Sequence, residues 1–260
     1  MTEKLNLQIV PVQDGASIAQ SEVRSSLIAR GRKDASTLLT GRPKLKLPAA
    51  SYYVGKSGLI DRGDAFTQFQ IGYAYQNGLG IPQDYTLAVE WYLKSAKQGM
   101  GRAQWKLGLL YRDGEGVPQD GAKAALWLRR AAEKDFPSAE YDLGKMYDLG
   151  LGVPKDYVQA EQWYYRAAEH GYSLAQFNLG LLYANGGEGL SQNTPEAYYW
   201  LVIAATETSK NPIEKSAFAR SEAERYAVAR DAAAAKLTQT ELSEVQRRAN
   251  RWLAMKSSRK

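Results

Sequence analysis

AQWKLGLLYRDGEGVPQDGAKAALWLRRAA, residues 103–132, decides the fold, because its skeleton of small, aromatic and turn-forming residues recurs along the chain. The Gly and Tyr of its Leu-Gly-x-x-Tyr core return as Gly72 and Tyr75, Gly108 and Tyr111, Gly144 and Tyr147, and Gly180 and Tyr183, a step of 36 residues each time. Gly78, Gly114, Gly150 and Gly186 keep the step. So do Asp84, Asp120, Asp156 and Asn193, then Ala88, Ala124, Ala160 and Ala197, and last Trp91, Trp127, Trp163 and Trp200. From Asn193 the register runs one residue late, which places a single insertion in the loop Gly186-Gly187-Glu188-Gly189. Self-similarity at such a period means stacked supersecondary units.

Within one unit the apolar residues follow helical spacing twice. Ala103, Leu107 and Tyr111 stand four apart, and Ala124, Trp127, Leu128 and Ala131 obey the i, i+3, i+4, i+7 rule. Between them Gly114 suits the left-handed position that ends a helix, Pro118 cannot continue one, and Asp120 can cap the next. The unit is therefore helix, loop, helix. Gly99 and Gly171 stand where second helices should stop, with Asp135 and Thr208 in the other two units. Asp tolerates the left-handed conformation and Thr does not, so the fourth unit should end differently.

The pattern A-x-x-x-L-G-x-x-Y-x-x-G-x-G-V-x-x-D-x-x-x-A-x-x-W-x-x-x-A-A-x-x-G resembles the Sel1-like repeat, related to the tetratricopeptide repeat, over about residues 63–208. Thr67 for the first Ala and Leu190 for the Val-Pro pair are the departures. The resemblance implies a right-handed α-solenoid whose members mostly serve as adaptors in signalling and secretion. The expected organisation is all-α: a basic arm over 1–60, four repeats over 61–208 (about 64–99, 100–135, 136–171 and 172–208), and capping helices with a basic tail over 209–260. Thr238 and Glu241 are spaced as a capping box, opening a helix with Leu242, Val245, Ala249, Trp252 and Leu253 on one stripe. Such helices cover the last apolar face of a solenoid. In the arm, apolar residues are scattered; it either covers the first helix with Tyr52, Tyr53 and Leu59 or waits for a partner.

The formal charge of +6 is unevenly placed. Residues 1–60 hold nine Lys or Arg against four acids, residues 245–260 hold six and none, and residues 61–244 hold nineteen against twenty-four. The basic arm residues Arg30, Arg32, Lys33, Arg42, Lys44 and Lys46 suit nucleic acid, anionic lipid or an acidic protein; a solvated tail is the preferred reading, and nucleic acid the disfavoured partner. Absence of Cys removes disulfides, thiolate zinc sites and thiol catalysis. The one His, His170, falls in the last turn of a second helix, where a structural role is expected. The Gly-x-Gly pairs join helices with no preceding strand, so they are turns and not phosphate loops. No catalytic residue, metal or cofactor is expected. With no apolar run of membrane-spanning length and no secretory signal, a cytoplasmic, bacterial-type protein is the expectation.

Solenoids bind through the concave surface of their first helices. Tetratricopeptide register selects positions six and three before the central Gly and one and four after it. One row is Phe69, Trp105, Tyr141 and Phe177; the others include Tyr73, Leu109, Lys145, Leu181 and Gln76, Arg112, Asp148, Ala184. Packing between units accounts for Phe69, Tyr141 and Phe177 better than for Trp105. Gln76, Arg112, Asp113, Lys145, Asp148 and Asn185 are the specificity candidates, as groups expected to be exposed. The function expected is a non-catalytic protein–protein interaction module, an adaptor or scaffold with a partner protein or peptide in the groove. The alternatives are an immunity or inhibitor protein neutralising a toxin, a role Sel1-like proteins can play, and a structural subunit of a larger assembly anchored by its arm.

Overall fold

The structure is a computed structural model that describes residues 54–55, 58–59, 63–209 and 217–258. Ten helices account for about three quarters of these residues: α1 (Ala65–Asn77), α2 (Tyr85–Lys97), α3 (Gly101–Asp113), α4 (Gly121–Ala132), α5 (Pro137–Leu149), α6 (Tyr157–Glu169), α7 (Ser173–Asn185), α8 (Thr194–Ser209), α9 (Ala217–Ala234) and α10 (Gln239–Ser257). The fold is all-α as expected, and one short antiparallel hairpin precedes the helices, β1 (Val54–Gly55) pairing with β2 (Gly58–Leu59). The rest of the basic arm, with Arg30, Arg32, Lys33, Arg42, Lys44 and Lys46, lies outside the described residues.

Local chemistry sets the helix ends. Asp84, Asp120 and Asp156 each accept the backbone N–H three residues on, at 3.0, 2.9 and 2.9 Å, and Asn193 does the same for Glu196 at 3.1 Å. First helices stop at Gly78, Gly114 and Gly150 with φ of 64°, 72° and 70°, a conformation that costs a residue with a Cβ. Asp135 takes φ 55° where the neighbouring units use glycine, while α8 runs on through Thr208.

Successive helices pack in chain order, first on second within a unit and second on the next first between units. From the second unit on, the Trp of the repeat packs into a core shared with the unit before it, whereas Trp91 of the first unit is half-buried with Lys94 over its ring. Trp127 joins Phe69, Tyr92 and Leu107; Trp163 joins Leu128, Leu143 and Met146; Trp200 joins Tyr164, Leu179 and the cap. A buried Trp removes roughly 200 Å² from water, worth several kcal/mol at about 25 cal/mol per Å². The terminal helices do not form a fifth unit. Instead α9 and α10 each pack on α8, and α9 also reaches α7. On α10, Thr238 and Glu241 form the capping box, and Val245, Ala249, Trp252 and Leu253 are buried. Trp252 meets Trp200 edge-on at 6.3 Å, and its Nε1 donates to Glu169 at 3.1 Å.

Candidate functional site

The aromatic row on the first helices is the seam between neighbouring units. Phe69, Tyr141 and Phe177 are buried. Tyr141 packs on Tyr172 of the next unit at 5.1 Å and accepts from Asn178 Nδ2 at 3.4 Å; Phe177 stacks on Tyr226 of α9 at 4.2 Å with Arg225 above it at 5.2 Å. Tyr73, half-buried, stacks on Phe69 within the same helix. Trp105 differs. It keeps exposed surface, its Nε1 donates to the buried Asp142 of α5 at 2.6 Å, and Phe136 borders its ring at 5.5 Å.

The row four residues after the central Gly divides by unit. In the first and third units a Tyr of the second helix lies under the Gly: a Cβ on Gly72 would meet the Tyr92 ring at 2.9 Å, and one on Gly144 the Tyr164 ring at 2.7 Å. Each of these tyrosines needs an acceptor for its hydroxyl. Tyr92 donates to Gln76 Oε1 at 2.7 Å, and Tyr164 to Asp148 Oδ2 at 3.1 Å. In the second and fourth units Leu128 and Leu201 replace the Tyr, and Arg112 and Ala184 replace the acceptor. Gln76 and Asp148, expected as exposed specificity residues, thus serve their own units; Asp148 is 2% exposed.

Burial pushes the Asp148 carboxyl above its ordinary value, against the smaller opposing effect of the Tyr164 hydrogen bond. The native state therefore holds this proton at pH values where the unfolded chain has lost it. The stability involved is present at low pH and disappears as pH rises through the native pKa. Asp148→Asn keeps an acceptor for Tyr164 without the buried charge. It should be more stable than the parent at neutral pH, by under about 1 kcal/mol, and indistinguishable from it in mild acid. Thermal melts at the two pH values check this; an Asn variant weaker at neutral pH would show that the charge is well compensated.

Arg112 has no tyrosine to serve and turns to carboxylates. It binds Asp113 through two nitrogens at 2.7 and 2.9 Å and reaches Asp142 at 3.6 Å, beside Trp105. Lys106 lies over the Trp105 ring at 4.7 Å, and Lys145, half-buried, follows Asp142 by one turn on α5. Burial and the nearby Asp113 raise the Glu115 carboxyl above its ordinary value. Asn185 is half-buried at the end of α7, where its carbonyl accepts from Gln192 at 3.1 Å.

The model of the Sel1 repeat matches residues 65–100, 101–136, 137–172 and 173–209, one helical pair each. The chain belongs to the Sel1 repeat family. Among solved structures, a Sel1 repeat protein from Oxalobacter formigenes is 28% identical over 76% of this chain and 89% of its own, with a TM-score of 0.55. The protective antigen c5321 of uropathogenic Escherichia coli, which has an SLR fold, is 27% identical over 69% of this chain and 48% of its own, with a TM-score of 0.38. Immunity protein Pa5087 from Pseudomonas aeruginosa is 17% identical over 86% of this chain and 84% of its own, with a TM-score of 0.41. A search of curated proteins found no match. No helix among the described residues is long and apolar enough to cross a membrane.

A cluster that a count of His and Cys passes over lies where the second Sel1 repeat meets the third. Gln104 and Gln176 donate Nε2 to the last-turn carbonyls of Ala96 and Ala168 in the preceding second helices, at 3.1 and 3.2 Å. Glu140 occupies the equivalent place with no exposure, and a carboxylate cannot donate. Arg166 takes over the missing contact, donating to Ala132 O at 3.3 Å, to Asp135 at 2.9 Å, and lying 3.2 Å from Glu140 Oε1. His170 Nδ1 meets Glu140 Oε2 at 2.8 Å. Among the described residues, Asp135, Glu140 and His170 bring potential metal-ligating atoms within 4.8 Å of one another. The Arg166 guanidinium sits against both carboxylates and supplies the positive charge there.

Proposed function

We propose that this chain is a non-catalytic adaptor or regulatory scaffold that holds a partner protein or peptide against the first helices of its second and third repeats. Sel1 repeats are protein-interaction modules, and that much applies to the chain as a member. The observation carrying the finer reading is the exposure of Trp105 in a row whose other aromatics are buried. Partly exposed Trp beside Arg is the composition of interface hot spots. Trp105 is held by Asp142 and adjoins Arg112, so a ligand would meet an anchor already fixed in position.

Because Asp113 and Asp142 hold Arg112, Arg112→Glu would gather three carboxylates; Arg112→Gln is the cleaner test. The variant should melt within about 1 kcal/mol of the parent and bind the partner roughly tenfold more weakly. Pull-downs from the native host with parent, Arg112→Gln and Trp105→Ala, compared by quantitative mass spectrometry, identify proteins that depend on this face. Partners retained equally by all three would place recognition elsewhere.

A further inference from the structure

We propose that the segment held in this groove is acidic, its Asp or Glu side chains meeting a cationic face and one apolar residue meeting Trp105. The inference rests on the groove reading above and adds the chemistry of the partner. Residues 61–244 carry more acids than bases, nineteen basic against twenty-four acidic, so a random face of the solenoid would be negative. The groove side of the second and third repeats reverses this. Arg102, Lys106, Arg112 and Lys145 lie there, Arg102 exposed and the other three partly so, around Trp105 and the half-buried Leu109. Of the acids near them, Glu115 is exposed beside Arg112 and Lys106, and the others are turned inward or engaged. Asp142 is buried and accepts from the Trp105 indole, and Asp148 is buried and accepts from Tyr164. Asp113 is exposed and clamped to Arg112, so this pair cancels and Arg102, Lys106 and Lys145 supply the positive excess over Glu115. An incoming carboxylate therefore meets more cationic than anionic surface around an aromatic anchor. Such complementarity selects the partner and speeds encounter, and it weakens with salt.

The probe is a library of random displayed peptides selected on the full chain, with the enriched peptides synthesised and measured by fluorescence anisotropy. Parent, Arg102→Glu, Lys145→Glu and Trp105→Ala are compared at low and high salt, each variant first shown to melt with the parent. Acid-rich peptides whose binding falls with salt, drops about tenfold in either charge reversal and is lost in Trp105→Ala are the expected result. Peptides without acid enrichment that ignore the reversals yet need Trp105 would overturn the acidic partner and leave the groove reading intact. Failure to enrich any peptide, or enrichment of peptides indifferent to all three variants, would overturn both.

Discussion

Replacing Gly108 by Leu is expected to unfold the second helical pair and to cost at least about 4 kcal/mol. A Cβ at this position would lie 2.7 Å from Leu128 Cγ, 2.9 Å from its Cδ2 and 3.3 Å from the Ala124 carbonyl. The first of these contacts alone demands movement, since α3 and α4 meet backbone to side chain with nothing between them. Overpacking by a methylene or two costs typically 1–3 kcal/mol in cores that can shift. Here a full isobutyl group enters a seam bounded by carbonyls, so the helices must separate and the contacts of Leu107, Leu110 and Trp127 go with them. Stability in a repeat array is a sum of units and of interfaces between neighbours, so losing the second unit also uncouples the first from the third. Circular dichroism should show lost helicity, and amide exchange should show lost protection over residues 101–132 and weakened protection in the first unit. Leu109→Ser, at the half-buried neighbouring position, should leave both nearly unchanged. Undiminished thermal stability of Gly108→Leu would overturn the register on which the core assignment rests.

Gly108 illustrates what was legible in the chain. A residue that plays the same part in every unit is announced by its spacing, which is why helix limits, Asp caps, glycine stops and the Trp core follow from the repeat. Side chains that differ between units are less legible. Gln76 and Asp148 look like free polar groups along a groove until the hydroxyls of Tyr92 and Tyr164, each 16 residues further on, are recognised as needing them. The signal was present as paired departures: Tyr with an acceptor in the first and third units, Leu without one in the second and fourth. Glu140 and His170 are 30 residues apart and pair for the same kind of reason. The straddling of α8 by α9 and α10 had no such signal, because the cap repeats nothing. It depends on which faces the fourth unit leaves open, a property of the assembled solenoid.

Arg166→Ala is the second large effect expected, about 2–3 kcal/mol, and it isolates the paired substitution in the third repeat. Removing one partner of a buried ion pair typically costs 3–5 kcal/mol because the remaining charge is stranded. Glu140 is fully buried, but the Arg166 side chain is 39% exposed, so water entering the vacated space offsets part of that cost. The variant also frees the Ala132 carbonyl, which Arg166 caps. Glu140→Gln in the same background should restore most of the loss. It removes the stranded charge and supplies an amide like those of Gln104 and Gln176, which already donate to Ala96 and Ala168. Alone, Glu140→Gln should change stability by under about 1 kcal/mol, since Arg166 keeps Asp135 and His170 loses only one contact. A double-mutant cycle from urea melts should then give a coupling of roughly 1.5–2.5 kcal/mol. The competing account is packing, because the Arg166 guanidinium also lies over the Trp163 ring at 4.9 Å, and burying its stem would stabilise whatever the charge at Glu140. That account gives a double variant as unstable as Arg166→Ala alone. A cycle with no coupling would therefore assign Arg166 to the Trp163 stack and leave the buried Glu140 charge to His170.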